Sequence, residues 1–221
     1  MIGVDGCRGG WLAAALEGAR VVDWQWTAGI ADVLRQDADV VAIDIPIGLP
    51  DAGRRACDVA ARGLAGVRAA SVFAAPVRAV LGCGTYTEAR EVLAARGAAS
   101  MSAQAFGIVR AVADVDAAVT PADETRVIEA HPEAAFARMS GGGVLPPKRT
   151  AAGVAARIRL VQPWLPDVLR VLADAPPRVP VDDALDALAC AWVAGRFGRG
   201  EAEVLGDGRR DDRGLLMRIV V

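Results

Sequence analysis

The sequence predicts an α/β fold in which helices flank a mixed sheet of five strands. The chain starts with three short, mainly apolar stretches separated by glycines, which predicts an antiparallel meander with turns near Gly9 and Gly18. A continuous Val/Ile-rich stretch over residues 40–45 is typical of a strand that is buried on both faces of a sheet. A further short strand is predicted over residues 126–130. Helical segments separate these later strands, so we expect them to run parallel.

Caps and helix breakers delimit the other elements. A helix over residues 27–36 has its apolar residues on one face. Thr85 and Glu88 form a capping-box pattern, and Gly97 is placed to close the helix that they start. The same reasoning predicts helices over residues 54–66, 102–119, 133–139 and 182–196, a helical stretch that breaks at Pro163 and Pro166 and ends near residue 173, and a closing strand over residues 215–221.

Three hairpin-linked strands followed by helix-separated strands form the element order of the RNase H-like fold. In that fold the fourth strand lies parallel beside the first, and the fifth lies beside the fourth. We expect one domain over residues 1–221, because the length fits one large domain better than two. A helical insertion over approximately residues 51–122 would follow the fourth strand.

Composition and charge narrow the classes of function. No stretch of about twenty uninterrupted apolar residues occurs, so no membrane span is expected. The first residues lack the basic start and long apolar stretch of a signal peptide, which indicates a cytoplasmic protein. A net charge of −2 does not fit a protein that coats nucleic acid through bulk charge, but it allows a nuclease with a local basic track. Four scattered cysteines with no C-x-x-C pair indicate buried free thiols rather than a zinc or redox motif.

Acidic residues lie where the strands of the sheet are expected to end. Asp5, Asp44 and Glu129 each stand near the C-terminal end of a strand, and parallel neighbours would bring them to one edge of the sheet. The last helix adds Asp183 and Asp186, which share a helix face because they are three residues apart. Clustered carboxylates repel one another unless they are protonated or bridged by cations. We therefore predict a site for Mg²⁺ or Mn²⁺ whose ligands are Asp5, Asp44, Asp183 and Asp186.

A structural explanation stays open for several of these acids. An acid at a strand end is often a turn residue or the N-cap of the next element. Asp182 and Asp183 follow Pro180 and start a helix, where capping and the helix dipole favour acids. Glu129 could belong to a polar exit from the sheet. Asp186 lies in the second turn of the helix, where capping explains it less well.

Basic residues near the acids are candidates for substrate contacts, since such side chains commonly bind phosphate oxygens. These candidates, together with the single histidine of the chain, are Arg8, Arg55, Arg62, Arg68, His131 and Lys148. Ion pairs within a helix are an alternative for part of the set, because Asp58 lies four residues from both Arg54 and Arg62. Lys148 could simply be solvated in its loop, and a structural hydrogen bond could explain His131.

Several motifs of the chain occur in the same order in a known family. They are GVDGCRGGW (3–11), IDIPIGLP (43–50), RACD (55–58) with Ala61 and Arg62, SVF (71–73), EAHPE (129–133) and DDALDA (182–187). Together they resemble the domain of unknown function 429 family, whose members are described as predicted nucleases with an RNase H-like fold. The resemblance spans essentially the whole chain. It implies metal ligands at Asp5, Asp44, Asp183 and Asp186, with Glu129 as a further candidate.

Three functions are compatible with these observations. The first is a Mg²⁺- or Mn²⁺-dependent nuclease, in which two ions about 4 Å apart activate water and stabilise the leaving oxygen of a phosphodiester in nucleic acid or a nucleotide. Its catalytic residues would be Asp5, Asp44, Glu129, Asp183 and Asp186. The second is a nucleotide-binding or phosphoryl-transfer protein of the sugar-kinase or actin-like type, whose D-x-G-x-[ST] hairpin contains a Ser or Thr that the stretch over residues 5–10 lacks. The third is a non-catalytic interaction module on the same fold.

Overall fold

A central five-stranded sheet organises the protein. The computed structural model describes residues 1–18, 20–65 and 74–221. The strands of the sheet are β1 (Ile2–Cys7), β2 (Gly10–Glu17), β3 (Arg20–Thr27), β4 (Val41–Ile43) and β5 (Val127–Glu129). Their spatial order is β3-β2-β1-β4-β5, with β1, β2 and β3 antiparallel and β4 parallel to both β1 and β5. The predicted mixed sheet is therefore confirmed, and the fourth and fifth strands lie where the sequence predicts.

The turns of the meander also lie at the predicted glycines. Gly9 and Gly18 have φ angles of +83° and +59°, which residues with a side chain rarely adopt. All three residues of β4 are buried, as expected for a strand that is covered on both faces. The glycines and the Val/Ile stretch therefore predict the turns of the meander and the burial of β4 correctly.

Helices cover both faces of the sheet. They are α1 (Ile30–Leu34), α2 (Ala56–Ala65), α3 (Tyr86–Ala95), α4 (Ala103–Gly107), α5 (Val109–Ala118), α6 (Pro132–Met139), α7 (Ala151–Val161), α8 (Val168–Ala173) and α9 (Val181–Gly198). Thr85 and Glu88 form the predicted capping box at the start of α3, and Gly97 follows its end with a φ of +61°. No helix in the described parts of the chain has the length and apolar character that a membrane span requires.

Two predicted elements differ from the structure. The helix expected over residues 102–119 is divided into α4 and α5, which are separated at Ile108. Gly107 ends α4, and glycine is the weakest helix former apart from proline. The closing strand expected over residues 215–221 shortens to β7 (Ile219–Val220), which pairs with β6 (Val204–Leu205). Strands of two residues are too short for an alternating pattern to reveal.

Two apolar layers enclose the sheet. On one face, Leu185 and Leu188 of α9 are fully buried in a cluster that contains Leu12 of β2. On the other face, Ile30 of α1 and Val115 of α5 belong to a second buried cluster with strand residues of the sheet. The sheet is therefore packed on both sides.

The contact between β1 and α9 is very close at Gly3. A Cβ atom at this position would lie 2.1 Å from the carbonyl oxygen of Ala187 and 2.1 Å from the backbone nitrogen of Ala191. Only glycine permits this approach, because any side chain would overlap the helix backbone. The strand that carries Asp5 and the helix that carries Asp186 are thereby held in direct backbone contact.

Candidate metal centre

The C-terminal ends of β1, β4 and β5 open into a cleft of about 920 Å³. The first turns of α9 and the loop before α7 border the same cleft. Seven residues that the sequence singles out line it and define what we call the acidic cleft, namely Asp5, Asp44, Glu129, His131, Lys148, Asp183 and Asp186. The structure therefore brings these side chains together, while their catalytic roles stay predictions.

Burial and mutual repulsion dominate the electrostatics of these acids. Burial raises the pKa of Asp5 well above its usual range, and the charges of Asp186, Asp44 and Asp183 add to the effect. Burial also raises the pKa of Asp44 and of Asp186 to about 7, against the opposing charge of Lys148. Such shifts arise where carboxylates are removed from water and placed near one another. The cleft therefore favours a cation that can neutralise them.

Asp186 uses only one of its two carboxylate oxygens. Its Oδ2 accepts a hydrogen bond from the Nζ of Lys148 in a salt bridge. Its Oδ1 is buried and has no hydrogen-bond partner among residues 1–18, 20–65 and 74–221. Buried polar atoms are nearly always paired, and Asp186 is only 2% exposed. The unpaired oxygen is therefore an available ligand atom.

The two acids in the first turn of α9 have different surroundings. The helix begins at Val181 with Pro180 as its N-cap, so neither acid is the N-cap that the sequence allows. Asp182 is buried and accepts a hydrogen bond from the Nε of Arg149 at 3.1 Å. Asp183 is half-buried and borders the cleft, and burial raises its pKa. Asp183 rather than Asp182 is thus the acid of this turn that faces the site.

The donor chemistry suits a hard divalent ion. In the described parts of the chain, no three His, Cys, Asp or Glu side chains are arranged closely enough to hold a metal ion as they stand. Asp5, Asp44 and Asp186 nevertheless offer only carboxylate oxygens, the ligands that Mg²⁺ and Mn²⁺ prefer. The unpaired Oδ1 of Asp186 is an atom that such an ion would satisfy. The chemistry of these donors therefore fits Mg²⁺ or Mn²⁺.

Glu129 is bound by the buried guanidinium of Arg55. Arg55 donates to both carboxylate oxygens of Glu129 at 2.7 Å and also to Asp58. Further hydrogen bonds go to the carbonyl oxygens of Ile47 and Gly48. The side chain of Arg55 is 0% exposed. This geometry favours a structural role for Arg55 and differs from the contact with substrate phosphate that the sequence predicts.

A second buried pair, which the sequence does not reveal, borders the cleft. Arg157 of α7 donates to both carboxylate oxygens of Glu133 at 2.8 and 2.9 Å. Its guanidinium also lies 5.2 Å from the ring centre of Phe136. Glu133 lines the cleft, but it stands in the first turn of α6, where an acid is expected for helix stability alone. Only its place in the motif over residues 129–133 could have indicated a functional position.

Comparison with known proteins identifies the family. A family model described as protein of unknown function (DUF429) matches residues 3–210. The chain belongs to this family. Membership of DUF429 confirms the family that the motifs predict, and the description assigns no activity to it. No similar protein was found among curated proteins, and no similar chain among solved structures.

The only histidine of this DUF429 protein lines the acidic cleft. Burial lowers the pKa of His131, although the charges of Asp186 and Glu133 oppose the shift. Its Nδ1 is buried and has no hydrogen-bond partner in the part of the chain that the structure describes. Among the described residues, Nδ1 therefore does not make the structural hydrogen bond that the sequence leaves open for His131. A neutral imidazole with an unused ring nitrogen can exchange a hydrogen bond or a proton with a ligand.

The basic residues that the sequence predicts as substrate contacts are not all in the cleft. Arg8 is exposed in the turn between β1 and β2, and Arg62 is half-buried on α2. Among the described residues, neither lines the cleft. Arg68 lies outside the described residues. Arg110 of α5, for which the sequence gives no signal, does line the cleft, and its exposed side chain has no partner in the described parts of the chain.

Proposed function

We propose that this protein is a divalent-metal-dependent phosphodiester hydrolase that acts on nucleic acid or on a nucleotide. The observation that carries the proposal is the convergence of Asp5, Asp44, Asp183 and Asp186 in one cleft. The cleft lies at the C-terminal edge of the parallel strands, where open α/β sheets bind their ligands. Hard divalent ions are the cations that several carboxylates in such a place suit best.

The topology supports the same proposal. We infer that the strand order β3-β2-β1-β4-β5, followed by the acidic helix α9, is an RNase H-like core. The segment over residues 51–122, which contains α2, α3, α4 and α5, would then be a helical insertion between β4 and β5. The nuclease class follows from this core together with the acids at its open edge.

Three buried or partly buried acids are placed to hold the ion. Asp5 and Asp44 come from neighbouring strands, and Asp186 comes from the helix that packs on them, with Asp183 as a further ligand at the border of the cleft. A bound Mg²⁺ or Mn²⁺ supplies positive charge that acidifies a water molecule and offsets the negative charge that develops on phosphate.

Two other side chains of the cleft would act on the substrate. The guanidinium of Arg110, which has no partner among the described residues, is suited to bind and orient phosphate oxygens, because its fixed fork of donors matches them. The Nδ1 of His131 is likewise without a partner among the described residues, so it could hold a proton during hydrolysis. Glu129 is held by Arg55, which favours a supporting role for it at the end of β5.

A cleavage screen tests this function. Wild-type protein, Asp5→Asn and Asp39→Asn would be incubated with single-stranded, duplex and branched DNA and RNA, in Mn²⁺ or Mg²⁺ and in chelator. Asp39 is an exposed acid just before β4, at the opposite end of the strand from Asp44, and serves as a matched control. We expect metal-dependent cleavage by wild type and Asp39→Asn, and a loss of at least about 100-fold in Asp5→Asn.

Calorimetric titration with Mn²⁺ separates ion binding from catalysis. Binding that Asp5→Asn greatly weakens and Asp39→Asn leaves unchanged would support the metal centre. Equal binding by wild type and Asp5→Asn would contradict it. If Mn²⁺ binds at Asp5 and no phosphodiester is cut, the non-catalytic interaction module becomes the better explanation.

A further inference from the structure

Lys148 is carried by a loop that is fixed on both sides of it. The carbonyl oxygen of Pro146 accepts a hydrogen bond from the buried Arg157 at 3.1 Å. The carbonyl oxygen of Pro147 accepts one from the Oγ1 of Thr150 at 2.8 Å. A Cβ at Gly153 would lie 1.9 Å from the same oxygen, so the loop packs directly on the start of α7. This anchoring is not typical of a solvated loop lysine.

The ammonium group of Lys148 lies among the acids of the cleft. It donates to Asp186, and burial works against its charge, but the charges of Asp186, Asp5 and Asp44 outweigh burial and raise its pKa. The next residue gives a contrast. Arg149 also borders the cleft, but its side chain is 82% exposed and pairs with Asp182, which is not among the residues that line the cleft. Of these two adjacent cations, only Lys148 forms a salt bridge with a proposed metal ligand among the described residues.

Lys148 already supplies one positive charge within the acid cluster. Its ammonium group is tethered to Asp186 and acts on Asp5 and Asp44 as well, so part of the negative charge that would hold a second divalent ion is already neutralised. We infer that Lys148 takes the place of a second cation, so that the site binds one divalent ion per chain. This inference rests on the proposed metal centre, and it replaces the two ions that the sequence predicts with one ion and one tethered ammonium group.

A second ion would have to displace Lys148 or stand next to it. Displacement of Lys148 would break its salt bridge with Asp186. A position next to Lys148 would place a double positive charge beside the ammonium group. At a separation of about 4 Å, that repulsion weakens binding of a second ion at least about tenfold even with the screening of bulk water. Removal of the lysine charge should therefore reveal the second site.

Titration with Mn²⁺, followed by electron paramagnetic resonance, counts the bound ions and detects pairs of coupled ions. We expect one uncoupled ion in wild type, and two coupled ions in Lys148→Met, with affinity for the second ion at least about tenfold higher than in wild type. Lys148→Arg keeps the charge and should bind one ion. Arg149→Met, the matched control, should also bind one ion. Lys148→Gln replaces Lys148→Met if the latter does not fold.

The possible failures are distinguishable. Two coupled ions in wild type, or one ion in both wild type and Lys148→Met, would overturn the inference and leave the metal centre intact. Absence of Mn²⁺ binding to wild type, or binding that Asp5→Asn does not change, would overturn the proposed function itself. If Arg149→Met also bound a second ion, general surface charge rather than Lys148 would control the number of bound ions.

Discussion

The acidic cleft differs from the two arginine pairs beside it, although all three are built from buried charges. In the arginine pairs, which consist of Arg55 with Glu129 and Asp58 and of Arg157 with Glu133, each carboxylate is bound by a fully buried guanidinium. In the cleft, several carboxylates share Lys148, and one oxygen of Asp186 has no partner in the described residues. Burial of charge alone therefore does not mark a ligand site. An unpaired carboxylate oxygen on a residue that lines a cleft is a better indication, since a ligand can satisfy it.

The largest effect should come from breaking an arginine pair. Arg55→Met leaves Glu129 and Asp58 buried without their cation, which costs about 3–5 kcal/mol of unfolding free energy. For a chain of 221 residues this corresponds to a fall in melting temperature of roughly 10 °C. Thermal denaturation of Arg55→Met measures this fall. Arg54→Met is the control, because the side chain of Arg54 is exposed. If Arg55→Met kept its stability and lost only salt-dependent nucleic-acid binding, the predicted phosphate contact would be correct.

The pH dependence of the metal-free protein should show the excess of acids in the cleft. The pKa values of Asp44 and Asp186 are raised from 3.8 to about 7, so the folded protein binds protons more tightly than the unfolded chain. Their contribution to stability is therefore complete below about pH 4 and is lost as the pH rises to about 7. In chelator, the melting temperature of wild type should decline over this range relative to Asp186→Asn, which lacks one of these groups. An identical pH profile for the two proteins would contradict the raised pKa values.

Removal of one cleft acid should stabilise the metal-free protein slightly. At pH 8, Asp5→Asn removes a buried acid whose ionisation is disfavoured by burial and by the charges of Asp186, Asp44 and Asp183, which should raise the unfolding free energy by about 0.5–2 kcal/mol. Chemical denaturation in chelator measures this gain. Addition of Mn²⁺ should then stabilise wild type and leave Asp5→Asn unchanged. Destabilisation of metal-free Asp5→Asn would show that a cation already neutralises Asp5 in the folded protein.

The smallest effect is expected for Asp182, the acid of α9 that is not among the residues lining the cleft. Asp182→Asn keeps an acceptor for Arg149 and should change stability by less than about 0.5 kcal/mol, with unchanged Mn²⁺ affinity. Asp186→Asn, one helical turn further, should abolish Mn²⁺ binding and activity while the protein still folds. Parallel calorimetric titrations compare the two. Equal loss of binding in both variants would place the ion at the helix start rather than at the sheet edge.

Local sequence patterns predict turns, buried strands and helix caps well, because these features depend on residues that are close in the sequence. The glycine turns of the meander, the Val/Ile strand and the capping box of α3 are all present. Elements without a local signal escape prediction, such as the two-residue strands β6 and β7. The break between α4 and α5 escapes it too, because a single glycine within a helical pattern does not fix where the helix ends.

The acids of the cleft could be placed from sequence, but their partners could not. Asp5 and Asp44 end parallel neighbouring strands, so topology alone brings them together. Arg55 pairs with Asp58 three residues on, but its other partner, Glu129, is 74 residues away and no helical spacing indicates it. Likewise Lys148 and Asp186 are 38 residues apart and meet only because the loop before α7 folds over the cleft. Such pairings depend on tertiary packing rather than on periodicity.

The backbone contact at Gly3 bears on which ion the centre would accept. Because β1 and α9 touch without an intervening side chain, the chain segments that carry Asp5 and Asp186 lie as close together as their backbones allow. Ca²⁺ requires oxygen distances of about 2.3–2.6 Å and more ligands, whereas Mg²⁺ takes about 2.0–2.1 Å. Closely spaced acids suit the ion with the shorter distances, so this glycine would influence the choice of ion although it lies outside the coordination sphere.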